Sequence, residues 1–156
     1  MLNLNLTILG LILVLGTRLY AGPEAGVDLA KLNGWDIVLA DDASPSECYA
    51  AEEFQRLFAQ ASGIKLAIGG AGITTEGHLF IGPSPAMRAS AVGFDVDDYG
   101  DEDLRIVVGD GNIAIAGGRP RGTLYGVYTF VEDYLGVRFL APDHTHVPPV
   151  GESCVV

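Results

Sequence analysis

The strongest constraint on the fold is a run of glycine and apolar residues in the last third of the chain. The run begins with Gly117-Gly118, a pair typical of a tight turn after a strand. Gly136 is placed to end a helix, so the run predicts a helix over residues 120–135 and a short strand over 137–140. Its apolar residues recur at helical spacing and predict one buried stripe, formed by Leu124, Val127, Tyr128, Val131, Tyr134 and Leu135.

A second helix is predicted by the signals at its two ends. Ser44 and Glu47 have the spacing of a capping box, in which each side chain accepts a hydrogen bond from the other residue's backbone amide. Pro45 suits the first helical position because no amide hydrogen is needed there. Gly63 is expected to end the helix as a left-handed cap. The predicted buried stripe of this helix consists of Ala50, Ala51, Phe54, Leu57, Phe58 and Ala61.

Short apolar runs around these helices predict strands. Gly109-Asp110-Gly111 separates two of the runs, and Asp-Gly in that position is a strong hairpin signal. Gly69–Gly72 is expected to be a flexible turn, and residues 87–92 a brief helix. Two helices with one apolar face each need a sheet face to cover them. The predicted fold class is therefore α/β, a two-layer sandwich with a mixed β-sheet and two main helices packed on one face. The predicted strands cover residues 35–40, 65–68, 78–82, 104–108, 112–116 and 137–140.

The N-terminal segment is predicted to be a secretory signal peptide. Residues 6–16 are an uncharged apolar run of 11 residues, whereas a membrane-spanning helix needs about 20. Cleavage after Ala21 would make residues 1–21 the signal and leave no membrane segment. An uncleaved anchor is the alternative, because no Lys or Arg precedes the apolar run. A cleaved chain would be secreted or periplasmic.

The remaining residues are predicted to form one domain with two flanking segments. Residues 22–32 are expected to be a flexible lead, and residues 33–141 the α/β domain. Residues 142–156 are expected to be a linker or the truncated start of a following domain, because prolines cluster there.

Charge and cysteine content restrict the partners of the chain. The formal net charge is −11 and no basic stripe is present, so a nucleic-acid partner is not expected. Cys48 and Cys154 are the two cysteines. They could pair in an oxidising compartment, but two unpaired thiols are the simpler interpretation because Cys154 lies near the chain end.

Several acidic and histidine clusters are candidate sites. Residues 95–103 contain six acids but have Tyr99 and Ile106 where a calcium loop needs ligands, so a solvated acidic loop is favoured over a weak calcium site. Asp143-His144-Thr145-His146 offers too few ligands for zinc. The neighbouring acid pairs are interpreted as turn or solvated helix residues, because adjacent helix positions point about 100° apart. These pairs are Asp41-Asp42, Glu52-Glu53 and Glu132-Asp133.

The turn over residues 117–122 precedes a helix N-terminus and resembles an anion cradle. It lacks the Lys-Ser/Thr ending of a phosphate loop. A tight turn is the simpler interpretation, and a sugar-acid or phosphate ligand is the alternative. Arg119 and Arg121 are expected to pair with nearby acids or with a neighbouring domain. We therefore assign no catalytic, cofactor-binding or metal-ligating residue to the chain, and we expect no cofactor.

The chain resembles the non-catalytic N-terminal domain of α-glucuronidases and related bacterial β-N-acetylhexosaminidase-like glycoside hydrolases. The resemblance covers about residues 33–148 and is strongest over Arg121-Gly122-Thr123-Leu124-Tyr125-Gly126-Val127-Tyr128 and Tyr134-Leu135-Gly136-Val137-Arg138. Trp35–Leu39, Ala43–Gln55, Ser62–Leu66 and Phe80–Gly82 match the opening half of such domains.

This resemblance implies a secreted accessory domain that docks beside a catalytic TIM-type barrel, in the same polypeptide or in another chain. It implies a role in the breakdown of xylan or an amino-sugar glycan, with the catalytic carboxylates on the barrel. The alternative is a stand-alone carbohydrate-binding or protein-interaction module. A sugar platform would use exposed aromatic residues, and the candidates in this sequence are Trp35, Tyr49 and Tyr99.

Overall fold

The computed structural model of the chain describes residues 26–70 and 76–156. The predicted signal peptide and part of the predicted Gly69–Gly72 turn lie outside the described residues. A short 3-10 turn over Leu29–Lys31 precedes the first strand. The elements that follow are β1 Asp36–Val38, α1 Pro45–Ser62, β2 Ala67–Gly69, β3 His78–Ile81, α2 Pro85–Ala89, β4 Leu104–Gly109, β5 Asn112–Gly117, α3 Gly122–Tyr134, β6 Arg138–Ala141 and β7 His144–His146.

The main sheet is mixed and has five strands in the order β2-β1-β3-β5-β4. The pairs β1–β2, β1–β3 and β3–β5 are parallel, and β4 runs antiparallel to β5. The long helices α1 and α3 contact each other and pack on the same face, where the larger apolar core lies. The predicted class, a two-layer α/β sandwich with two main helices on one face of a mixed sheet, is confirmed.

Both ends of α1 form as the sequence predicts. The Ser44 hydroxyl accepts a hydrogen bond from the Glu47 amide at 3.2 Å, and the Glu47 carboxylate accepts one from the Ser44 amide at 2.6 Å. Gly63 ends the helix with φ +74°, in the left-handed region that glycine enters without steric cost. Local chemistry alone is sufficient to set these boundaries.

The predicted β4–β5 hairpin is also confirmed. Asp110 has φ +46° and Gly111 has φ +67°, which is the pattern of the two-residue turn whose twist matches that of the flanking strands. The Asn112 side chain donates to the Asp110 carbonyl at 3.0 Å and supports the turn. Each strand is one residue longer at its C-terminal end than predicted, so β4 ends at Gly109 and β5 at Gly117.

Two details of the α3 prediction are wrong. The helix begins at Gly122 rather than Pro120, and its buried face includes Phe130, while Tyr134 is 41% exposed. The buried face is set by the close approach of α3 to the sheet at Gly126, where an added Cβ would lie 2.8 Å from Ile115 Cγ2. Phe130 lies one turn further along the same side and is buried, whereas Tyr134, a second turn along, is the last residue of the helix and is exposed.

The opposite face of the sheet carries a second, smaller apolar cluster. Met87 of α2 is fully buried there with Val38 and Phe80 of the sheet, and Val92 and Val96 follow from the loop after α2. The predicted brief helix over 87–92 thus exists but begins earlier, at Pro85. Ser84 caps it by accepting from the Met87 amide at 3.0 Å, so α2 and its loop form a lid on this face.

Residues 27–29, within the predicted lead, pair with the C-terminal tail. Val27 and Val156 exchange two backbone hydrogen bonds of 3.0 Å, and the Leu29 amide donates to the Cys154 carbonyl at 2.7 Å. The physical reason is that Val27 and Leu29 supply buried apolar side chains to the main core. The tail also contains β7, which pairs with β6 in a separate hairpin.

Asp28 stabilises this pairing of residues 27–29 with the C-terminal tail. Its carboxylate bonds the Lys31 ammonium at 2.8 Å and accepts from the Cys154 amide at 2.9 Å. These contacts, the Lys31 bond first, lower the pKa of Asp28 to about 2. Because the folded-state pKa lies below its ordinary value of 3.8, the contact stabilises the fold fully above about pH 4 and loses its effect as the pH falls toward about 2.

Candidate functional site

A concavity in the described part of the chain lies where the parallel strands end. Asp42 follows β1, Pro83 and Pro85 follow β3, and Gly118 and Arg119 follow β5, and these residues line one pocket of about 380 Å³. From the neighbouring strands β1 and β3 the chain proceeds toward opposite edges of the sheet, to β2 and to β4. Ligands of open α/β sheets bind at such a switch point. We call this concavity the edge pocket.

The rest of the edge pocket comes from the α2 region. Arg88 of α2, together with Val96, Asp97 and Tyr99 of the following loop, completes its lining. Arg88 Nη2 contacts Asp97 Oδ1 at 3.0 Å and Asp95 Oδ1 at 3.7 Å, which ties the loop to the helix. The Asp97 amide also donates to the Asp95 carboxylate at 3.1 Å and lowers the pKa of Asp95. The wall of the pocket is thus held by ion pairs and local hydrogen bonds.

A bidentate pair joins the edge pocket to the start of α1. Arg119 Nε and Nη2 each lie 3.1 Å from one oxygen of Glu47. The Glu47 side chain is 3% exposed and that of Arg119 is 48% exposed. The hydrogen bond to Glu47 raises the pKa of Arg119, and two parallel bonds fix the orientation of both groups. The prediction that Arg119 pairs with a nearby acid is confirmed. Its partner is Glu47, which also forms the capping box with Ser44.

The glycines of the turn over residues 117–122 serve close packing. A Cβ on Gly118 would overlap the Gly100 carbonyl, and one on Gly122 would overlap the Asp103 carbonyl. The Gly118 amide donates to the Asp103 carbonyl at 2.9 Å, and the Arg121 amide donates to the Asp101 carbonyl at 3.1 Å. Backbone carbonyls thus occupy the Gly118 and Arg121 amides, and the close contacts of the glycines fit the tight-turn interpretation.

The acids of residues 95–103 are largely engaged within the protein. Asp103 accepts from the Gly100 amide at 2.8 Å, and Glu102 pairs with Arg121 at 2.7 Å. Across residues 26–70 and 76–156, no group of three or more His, Cys, Asp or Glu side chains is arranged to hold a metal ion. His144 and His146 lie exposed on β7, and Cys48 and Cys154 are both free thiols in the described structure.

Glycosidic hydrolysis generally requires two carboxyl groups, one of them protonated, across the scissile bond. Two carboxylates, those of Asp42 and Asp97, line the edge pocket. The Asp97 carboxylate is engaged by Arg88 Nη2 at 3.0 Å. Asp41 is exposed in the turn after β1, and Glu53 is occupied by Arg56 at 2.9 Å.

A buried Asp36–His78 pair is a feature that the sequence analysis missed. His78 Nδ1 lies 2.6 Å from Asp36 Oδ1, and the Asp36 side chain is fully buried. Asp36 Oδ2 has no hydrogen-bond partner among the described residues. The two residues are direct register partners on β1 and β3. No local sequence signal links them, because the contact depends on which strands pair and in which register.

The aromatic candidates are distributed over the molecule rather than on one platform. Tyr49 is 49% exposed on α1, Tyr99 lines the edge pocket, and Trp35 packs against the main core. Tyr128 meets the Phe139 ring edge-on with centroids 5.2 Å apart, and burial raises the pKa of its hydroxyl well above the usual range.

No known protein-family profile matches the chain, and no curated protein matches it. Among solved structures, the chain is similar to a mutant Streptomyces plicatus beta-hexosaminidase in complex with its product GlcNAc. The two share 19% sequence identity with a TM-score of 0.47, over 70% of this chain and 18% of that enzyme. This chain thus has a distant structural neighbour among glycoside hydrolases, and it corresponds to a minor part of that enzyme. None of the helices in residues 26–70 and 76–156 has the length and apolar character needed to cross a bilayer.

Proposed function

We propose that this chain is a non-catalytic accessory domain of a secreted glycoside-hydrolase-type protein that breaks down polysaccharide. The sequence resemblance supplies the class of parent protein, with xylan or an amino-sugar glycan as the substrate. The catalytic partner would be a TIM-type barrel, in the same polypeptide or in another chain. Export would use the predicted signal segment over residues 1–21.

The observation that carries the proposal is that residues of the Arg121–Tyr128 motif pack α3 against the sheet. Thr123 Oγ1 accepts from the Gly117 amide at 3.1 Å, and Gly126 lets α3 approach Ile115 closely. Val127 is fully buried between α3 and the sheet. Each of these residues of the Arg121–Tyr128 motif thus holds the helix on the strand. A motif that specifies packing is what a supporting domain requires, whereas a catalytic motif would present reactive groups to a cleft.

The two fully or almost fully buried acids support the same role. Glu47 is held by Arg119 and the Ser44 amide, and Asp36 is paired with His78. Both acids join separate elements of the fold: α1 with the turn after β5, and β1 with β3. Both acids stabilise the contacts between these elements. Of the two carboxylates that line the edge pocket, Asp97 is paired with Arg88, and Asp42 makes no ion pair within the described residues.

The proposal predicts what lies beyond residue 156 in the source gene. Reading the coding sequence downstream should show an in-frame segment with strand–helix repeats of a barrel, carrying a pair of acids at the ends of barrel strands. A barrel gene immediately beside this one would fit the two-chain form of the proposal. A downstream region that encodes neither form would contradict the assignment to a glycoside-hydrolase-type protein.

A further inference from the structure

We infer that the edge pocket binds a neutral saccharide, as one or two sugar residues of an oligosaccharide. The inference deepens the proposed function and rests on it for the choice of sugars to be tried. The pocket lies at the carboxyl ends of β1, β3 and β5 and at the switch point between β1 and β3, where open α/β sheets bind their ligands. Its volume of about 380 Å³ suits a small molecule.

The charge of the lining selects a neutral ligand over an anion. Both guanidinium groups of the pocket are already paired, Arg88 with Asp97 and Asp95, and Arg119 with Glu47. Asp42 adds a carboxylate that makes no ion pair within the described residues. Counted together with Asp95 and Glu47, which pair with the two arginines, four acids surround two bases at the site, and the whole chain carries a formal charge of −11. A phosphate or a sugar acid would be repelled, whereas an uncharged polyol would not.

The polar groups match the hydroxyls of a sugar. Arg119 uses Nε and Nη2 for Glu47, and its Nη1 makes no hydrogen bond within residues 26–70 and 76–156. Arg88 engages Asp97 through Nη2 alone. The Asp42 carboxylate and the Tyr99 hydroxyl likewise make no hydrogen bond in that part of the chain. Fixed donors beside fixed acceptors suit groups that both donate and accept, as sugar hydroxyls do.

The apolar part of the lining completes the match. Tyr99, Val96 and two prolines, Pro83 and Pro85, share the pocket with the charged groups. A sugar ring has apolar C–H faces as well as hydroxyls, so it needs a surface of this mixed character. Ligand sites in general combine an apolar lining with a few placed polar groups. A small inorganic anion would leave the apolar residues uncovered.

Calorimetric and NMR titration of the folded full chain tests the inference. The neutral probes are xylotriose, cellotriose, maltotriose and chitobiose, and the anionic probes are glucuronate and inorganic phosphate. We expect at least one neutral probe to bind with a Kd between about 0.1 and 10 mM and to shift the amide signals of Tyr99 and Gly118. Arg88→Ala and Tyr99→Ala should each weaken that binding by about tenfold or more. Arg56→Ala, an arginine on α1 away from the pocket, should leave it unchanged.

Three results would overturn the inference. They are saturation by none of the neutral probes, binding of phosphate or glucuronate alone, and binding that both pocket variants leave intact. The NMR spectra of the variants report whether they are folded, so a loss of binding can be assigned to the side chain. A failure here leaves the accessory role standing, because that role is tested through hydrolysis and the downstream gene. Hydrolysis by this chain would remove the accessory role and leave the binding result unaffected.

Discussion

Replacement of Phe130 by alanine is expected to lower the free energy of unfolding by about 4 kcal/mol. Phe130 is fully buried on α3, and its ring lies 5.7 Å from that of Phe54 on α1 and 4.9 Å from that of Tyr134. The side chain thus fills the space where the two long helices meet, and its removal would leave a cavity that the sheet beneath cannot close. Urea denaturation followed by far-UV circular dichroism measures the change as a lower midpoint at constant slope.

Phe139→Ala is the matched control for this variant, because it removes the same atoms from a site that is 41% exposed. Its ring contacts Tyr128 on the surface side of α3, and we expect a loss below about 1 kcal/mol. Equal losses for the two variants would mean that Phe130 does not lie in the core, and the packing of α3 described above would then be wrong.

The Arg119→Ala variant should lose about 2 kcal/mol of stability. Removing one partner of a buried pair costs about 3 to 5 kcal/mol, and the expected value is lower because water reaches the half-exposed Arg119 side and can solvate Glu47 in part. The loss would come from a carboxylate left almost fully buried with the Ser44 amide as its main partner. Thermal and urea unfolding of the purified variant measure it.

Arg121→Ala supplies the comparison two residues further along the same turn. Arg121 pairs with Glu102, and both side chains are more than half exposed, so the expected change is within about 0.5 kcal/mol. Adding Glu47→Gln to Arg119→Ala should restore part of the stability, because a neutral amide removes the buried charge. If the two arginine variants were equally stable, the Glu47–Arg119 pair would have no structural importance.

Elements of the fold that depend on local chemistry are predictable from the sequence. The capping box of Ser44 and Glu47, the Gly63 stop and the Asp110-Gly111 turn all act over a few residues, and the structure confirms each one. The buried face of α3 is different, because it depends on how closely the helix approaches the sheet. Gly126 has no side chain to count as apolar, yet its contact with Ile115 orients the helix and turns the side that carries Phe130 into the core.

The candidate site depends on contacts between distant parts of the chain. Arg119 and Glu47 are 72 positions apart, and Asp36 and His78 are 42 positions apart. Asp36 meets His78 because β1 and β3 are neighbours in the sheet, and Arg119 meets Glu47 because the turn after β5 lies beside the start of α1. No short-range sequence signal specifies either contact. For the same reason, the edge pocket could not be foreseen: its lining comes from the ends of three strands that are neighbours only in the folded sheet.

The most direct test of the account is a glycosidase assay on the purified, folded chain, with aryl glucuronides and aryl N-acetylhexosaminides as substrates. Circular dichroism would first establish that the chain has its mixed α/β content, so that inactivity can be interpreted. The account predicts no release of the aryl group above the rate without protein. Turnover that Asp42→Asn or Asp97→Asn abolishes, with Asp133→Asn on the exposed side of α3 as the control, would contradict it.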